Sequence, residues 1–207
     1  GLVATESGET VQEALDRLRT DAEITMTVGP TGDFGTLNEA LAEASTYRRK
    51  YKKNSKRVEV QLLSDFLMAE QVLVVSLDLS FITITREGGG EVPVVRESLT
   101  DEPPVPGWRL GTKALFGATQ GAFLPIIGAL FSMDNSGDGV GTCGVVVDQQ
   151  SYAIILAGCG VKNAGWRGLY GIGGYVYARD TIWDGAGRVA TTIGGTPSVG
   201  SGIRIAN

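Results

Sequence analysis

The sequence predicts a mainly β chain, a parallel β-helix: a solenoid of short β-coils entered through a short N-terminal helix and a capping helix. Three observations predict it. Short strands with a two-residue period recur from Val58 onward at spacings of 20 to 30 residues. The 30 glycines cluster in the second half, where they separate short apolar runs, the composition of many tight turns between many strands. An amphipathic helical segment directly precedes the first of the recurring strands.

The bulk properties narrow the function. With 207 residues, 43% hydrophobic and 20% charged, the chain has the composition of one folded core, not of a disordered polymer. A net charge of −5 argues against nucleic acid as a partner, because phosphate binding needs a positive surface. Histidine is absent, which removes Ser-His-Asp and Cys-His nucleophile arrangements and every histidine metal site. Chemistry would have to rest on Asp, Glu, Lys, Arg or Tyr. No metal site and no cofactor are expected. Cys143 and Cys159 form neither a CxxC pair nor a disulfide framework and are expected as small buried residues. Gly1 is preceded by no methionine or signal pattern, which reads as a processed start. Residues 114–131 are nearly long enough to cross a membrane, but Thr119, Gln120, three glycines and Pro125 interrupt them. Buried strands and turns are expected there, with no membrane insertion.

Residues 1–24 read as a connector. Thr10 and Glu13 form a capping box, and Val11, Leu15 and Leu18 recur at helical spacing. So short a stripe must pack on something, either a threefold copy of itself or its own domain. Residues 25–207 form the predicted β-helix domain. A strand over residues 25–28 runs into a Gly-Pro-Thr-Gly turn. Thr36 then caps a helix over about 36–50, with Leu37, Ala40, Leu41 and Ala44 on one face. The basic run Tyr47-Arg-Arg-Lys-Tyr-Lys-Lys-Asn-Ser-Lys-Arg57 follows. It reads as a solvated helix end complementing the dipole, the alternative being a patch for an anionic glycan or phosphate.

Beyond it, Val58 and Ile82 lie 24 residues apart, as do Val60 and Ile84. The runs starting at Gly144 and Gly168 are again 24 apart, those at Tyr152 and Tyr175 are 23 apart, and Gly165 and Gly187 are 22 apart. Each coil buries its apolar face only when a neighbour stacks on it. Pro93, Pro103, Pro104, Pro106 and Gly88-Gly-Gly90 predict an insertion over about 86–113. Residues 188–201 read as a loop and 202–205 as the opening strand of a coil cut off at Asn207, which suggests a C-terminal truncation or a native end covered by another chain.

The segment Thr27-Val-Gly-Pro-Thr-Gly-Asp-Phe-Gly-Thr-Leu-Asn-Glu-Ala-Leu-Ala-Glu-Ala44 resembles the entry of pectin-lyase-like β-helix proteins, in which it supplies the first strand and the capping helix. The preceding SGETVQEALDRL is similar to connectors that lead into the β-helix of bacteriophage tailspikes and tail fibres. The resemblance implies a right-handed parallel β-helix and a virion tail protein acting outside the cell. Its implied partners are two further copies in a homotrimer, other virion tail proteins and host surface polysaccharide. The paired aspartates and arginine of pectinesterases and the calcium-binding aspartates of pectate lyases have no counterpart here. Arg179-Asp180-Thr-Ile-Trp183-Asp184-Gly echoes the style of those motifs without their pattern.

Two classes of function follow. One is a structural and receptor-binding module that attaches to a host glycan. The other is a depolymerase, hydrolase or lyase, acting on that glycan. A bacterial cell-surface β-helix protein is a third setting. Glycoside cleavage needs two carboxylates roughly 5–10 Å apart. Asp148, Asp180 and Asp184 are the catalytic candidates, since coils stacked about 4.8 Å apart would build an aspartate ladder. Asp184-Gly185 and Asp148-Gln149 also read as strand-ending turns, which aspartate fills for backbone reasons. Asp134-Asn-Ser-Gly-Asp138-Gly looks like a calcium loop but lacks the downstream Glu and reads as a turn. Strand alternation places Tyr175, Tyr177 and Arg179 outward and Val176 and Ala178 inward, and the same logic extends to Trp183 outward and Ile182 inward. Tyr175, Tyr177, Arg179 and Trp183 are thus the candidate ligand-binding residues, as a sugar-stacking surface or as a subunit interface.

Overall fold

The computed structural model describes residues 19–20, 23–49, 58–103, 105–107, 112–133, 141–183, 188–193 and 198–199. The expected helix over 10–18, most of the basic run, the 134–139 turn, Asp184, Gly187 and the strand at 202–205 lie outside these residues.

The chain is mainly β, and among the described residues every strand ladder is parallel, with a single antiparallel bridge between Asp148 and Gly173. The largest sheet runs β2 (Ile24–Val28), β4 (Val58–Leu62), β6 (Ile82–Arg86), β9 (Ile126–Ile127), β12 (Tyr152–Ile155), β15 (Tyr175–Ala178) and β17 (Ser198–Val199). A five-stranded sheet runs β5 (Val72–Val75), β8 (Lys113–Thr119), β11 (Thr142–Asp148), β14 (Arg167–Ile172) and β16 (Arg188–Ile193). A three-stranded sheet holds β7 (Glu91–Val94), β10 (Leu130–Met133) and β13 (Gly160–Lys162). A fourth, separate pair joins β1 (Arg19–Thr20) to β3 (Arg48–Arg49).

From β6 to β14, successive strands visit the seven-, three- and five-stranded sheets in turn, three times over. Single bridges from Met68 to Val94 and from Ile182 to Gly160 occupy the three-stranded position before and after this run. The spacings read from the sequence are register pairs: Val58 lies beside Ile82, Val145 beside Leu169, and Tyr152 beside Tyr175. One apolar cluster draws on all three sheets, with Ile84, Ile127 and Ile155 from the first, Val74, Phe116 and Val147 from the second, and Val92, Phe131 and Val161 from the third. Phe116 and Phe131 meet edge to face across it, their centroids 4.9 Å apart.

Helix α1 (Leu37–Ala44) buries Leu37, Ala40, Leu41 and Ala44, the predicted face. Its capping box is complete: the Thr36 hydroxyl accepts from the Glu39 amide at 3.2 Å, and the Glu39 carboxylate accepts from the Thr36 amide at 3.2 Å. The helix stops at Ala44, short of the expected residue 50. The hydroxyls of Ser45 and Thr46 donate to the carbonyls of Ala42 and Glu43 at 2.7 and 2.8 Å and compete with further helical turns.

Two regions expected as loops hold strands. Glu91–Val94, inside the expected insertion, is β7 despite Pro93. The Pro93 carbonyl accepts from the Met68 amide at 2.9 Å, so the ring nitrogen also faces that side of β7, away from β10, where a missing N–H breaks no ladder. Arg188–Ile193 is β16, paired along β14. Its sequence RVATTI is rich in β-branched residues, which outweigh the neighbouring turn formers. Residues 114–131 form β8, β9 and part of β10, and no helix among the described residues is long and apolar enough to cross a membrane.

Candidate functional site

The outer face of the seven-stranded sheet changes character along its length. On β2, β4 and β6 it presents Thr25, Thr27, Glu59, Gln61, Thr83 and Thr85, with the Thr85 hydroxyl donating to Glu59 at 2.5 Å. From β9 onward it is aromatic and aliphatic. One row across the strands runs Asp78, Phe123, Tyr152, Tyr175. Phe123 and Tyr152 stack with centroids 5.6 Å apart and planes 29° apart, and Tyr152 stacks on Tyr175 at 6.5 Å and 30°. Two residues further along β12 and β15 lie Ile154 and Tyr177, and beyond them Leu156 and Arg179.

Tyr175 and Tyr177 are 49% and 46% exposed, the largest aromatic area on this face. Phe123 and Tyr152 spend ring area on their stacking neighbours. Among the described residues Tyr175 stacks on Tyr152 alone. Arg179 stands exposed at the end of β15, 3.4 Å from Asp180 in a loose surface pair. Apolar ring faces, phenol tips and a guanidinium within one strand are a set that fits the C–H faces and hydroxyls of a sugar.

Three of the four predicted ligand-binding residues therefore come together: Tyr175, Tyr177 and Arg179, with Val176 and Ala178 buried beneath them. Trp183 does not join them. It is 1% exposed, and its Nε1 donates to the Thr181 hydroxyl at 2.7 Å. Alternation fails because the chain bends at Asp180, whose φ is 53°. Ile182 then bridges Gly160 in the three-stranded position, and the inside–outside count restarts there, leaving Ile182 half-buried and Trp183 inside.

Of the carboxylate candidates, Asp148 and Asp180 lie at different sheets, and Asp184 lies outside the described residues. Asp148 ends β11 of the five-stranded sheet, buried, and accepts from the Thr119 hydroxyl at 3.3 Å. Asp180 is exposed and follows β15 of the seven-stranded sheet. A buried acid in one sheet and a surface acid beyond another do not flank one glycosidic bond. Among the described residues no group of three or more Cys, Asp or Glu is placed to hold a metal ion.

Phe123, Tyr152, Ile154 and Leu156 were missed as members of this face. The 23-residue match of Tyr152 to Tyr175 held the signal for the first three residues of the β12 edge. For Phe123 the signal is hidden by a bulge: Phe123 pairs with Tyr152 but Ile127 with Ile155, so one extra residue sits around Pro125.

A second aromatic group lies outside the five-stranded sheet. The Arg167 guanidinium carbon is 3.6 Å from the Trp166 ring centre and 4.0 Å from that of Tyr170. Beside it the buried Cys143 thiol is pushed up to about 12 by desolvation, with Arg167 pulling the other way. Such a thiol is no nucleophile at neutral pH. Cys159, expected buried, is half-buried, and both cysteines are free. No protein-family model matches the chain, and no curated protein is found to be similar to it.

Proposed function

We propose that the chain is a structural and receptor-binding module of a phage tail fibre or tailspike, built as a right-handed parallel β-helix and located in the virion tail. The cyclic order of strands among three parallel sheets, with one apolar interior common to all three, supports the solenoid. The observation that carries the binding role is the exposed triad Tyr175, Tyr177 and Arg179, standing beside the Phe123–Tyr152–Tyr175 ladder. Its ligand class is host surface polysaccharide. The separation of Asp148 from Asp180 weighs against a depolymerase.

Titration of the chain against a panel of purified bacterial capsular and lipopolysaccharide glycans, followed by calorimetry, tests this reading. Binding to at least one glycan, weakened about tenfold or more by Tyr177→Ala, with no new reducing ends or unsaturated product, is expected. Absence of binding across the panel, or binding indifferent to Tyr175→Ala and Tyr177→Ala, rejects it. Turnover abolished by Asp180→Ala makes the chain an enzyme instead.

A second reading is favoured by Leu156, which is 39% exposed beside this face and offers nothing polar to a sugar. In it, the face is buried between copies of a homotrimer. A monomeric mass by light scattering at micromolar concentration counts against it.

A further inference from the structure

Buried donors without partners collect at one corner of the coils. Among the described residues, Arg96 Nε and Nη1, Thr112 Oγ1, and Arg167 Nε and Nη1 are buried and make no hydrogen bond; the other such atoms, Thr83 Oγ1 and Arg86 Nη1, belong to β6. We propose that the corner between the three-stranded and five-stranded sheets, where Arg96, Thr112 and Arg167 stand, binds an oxyanion: a phosphate, or the carboxylate of an acidic sugar.

The coil brings these residues to one place. Arg96 begins the short 3-10 turn that leaves β7, Thr112 immediately precedes β8, and Arg167 opens β14. Arg96 Nη2 donates to the Asn163 carbonyl at 2.8 Å, just past β13 and four positions before Arg167. The next carbonyl, that of Ala164, accepts from the Thr142 hydroxyl at 2.5 Å. Thr142 lies in register with Lys113, the neighbour of Thr112. Each of the three residues thus stands where the chain passes from the three-stranded sheet to the five-stranded one.

The charge at this corner is one-sided. Arg96 is 9% exposed, and its one bond goes to a neutral carbonyl. A cation so far from water is costly unless an anion accompanies it. Neither Arg96 nor Arg167 has a carboxylate partner among the described residues. The row that Arg167 joins across its sheet reads Ala114, Cys143, Arg167, Arg188 and holds no acid. Like charges side by side on neighbouring strands repel, and an anion between them reverses the sign of that contribution.

The donor set names the ligand class. A guanidinium offers N–H donors and no acceptor, so the missing partner is an acceptor, and two cations call for a negative one. Trp166 and Tyr170 lie against the Arg167 guanidinium at 3.6 and 4.0 Å, which fixes its plane and leaves its N–H edge to an oxygen ligand. Arg167 is half-buried, so the corner is not sealed from solvent.

Calorimetric titration of the full chain with inorganic phosphate, against chloride at matched ionic strength, tests the site. Saturable binding at millimolar phosphate is expected. Arg167→Lys keeps the charge without the planar fork and should weaken it about tenfold. Arg96→Met should abolish it and, by removing an uncompensated buried cation, melt no lower than wild type in chloride. No phosphate binding, or binding equal in wild type and Arg167→Lys, overturns the proposal, and so does an Arg96→Met chain that melts lower and still binds. Glucuronate that displaces phosphate, where glucose does not, assigns the site to an acidic sugar; glucuronate without effect assigns it to a phosphoryl group. Tyr177→Ala should leave the phosphate isotherm unchanged, so this site and the glycan face stand or fall separately.

Discussion

Glu70 caps a helix that begins 33 residues before it: its Oε1 accepts the backbone amide of Leu37 at 2.5 Å. The same carboxylate accepts from the Asn38 amide at 3.3 Å and from the Asn38 side chain at 2.6 Å, so one loop residue fastens α1 to the start of β5. Glu70→Ala is expected to cost about 1–2 kcal/mol. In a chain of this size that lowers the melting temperature by roughly 2–8 °C, measurable by circular dichroism.

The same residue sets a pH dependence. Burial raises the Glu70 carboxyl above its ordinary 4.5, the bonds from Leu37 and Asn38 pulling the other way. The unfolded chain then releases this proton before the folded one does. Glu70's contribution is complete below 4.5 and falls as pH rises through its raised value. Denaturant midpoints of wild type and Glu70→Gln should lie close at low pH, where both side chains are neutral, and separate as pH rises across that window with wild type falling; parallel curves would contradict the assignment.

Glu91 and Lys162 close a 2.6 Å ion pair across 71 residues, joining the two outer strands of the three-stranded sheet. The bond from Lys162 holds the Glu91 carboxyl below its ordinary value. Its stabilisation is present above 4.5 and is lost as pH falls through the lowered value. Both side chains are partly in water, so Lys162→Met should cost no more than about 1 kcal/mol, a difference that shrinks in high salt.

Gly144 leaves no room for a side chain. A Cβ there would lie 2.7 Å from the Gly168 carbonyl oxygen and 2.8 Å from the Val161 Cβ. Gly144→Ala should destabilise by about 1–3 kcal/mol in urea melts, since backbone and a buried valine must both shift.

Phe131→Ala removes a fully buried ring that meets Phe116 across the interior. A loss of about 3–5 kcal/mol is expected. Tyr177→Ala, on the outer face, should stay within about 0.5 kcal/mol of wild type, so any loss of glycan binding in that variant is a surface effect.

Sequence patterns disclosed the interior better than the face. Strand spacing identified which residues lie side by side where neighbouring strands are joined by similar lengths of chain, and Val58 beside Ile82 is its clearest trace. The helix face from Leu37 to Ala44 was legible for the same reason, through its 3.6-residue period. Trp183 was misplaced because alternation holds only within one strand, and Asp180 breaks the strand before it. Phe123 was overlooked because an extra residue near Pro125 shifts the count. The Glu70 cap left no trace at all: a carboxylate 33 residues from the amide it satisfies belongs to no local motif.

Parallel pairing throughout has a kinetic consequence. None of the described strands pairs as a hairpin, and even the closest partners, such as Arg167 with Arg188 and Tyr177 with Ser198, are 21 residues apart along the chain. Each added strand must close a loop of that length or more before it gains any ladder bonds, so the entropy comes first and the reward afterwards. Renaturation from denaturant is therefore expected to be slow, as measured by the recovery of far-ultraviolet circular dichroism after dilution.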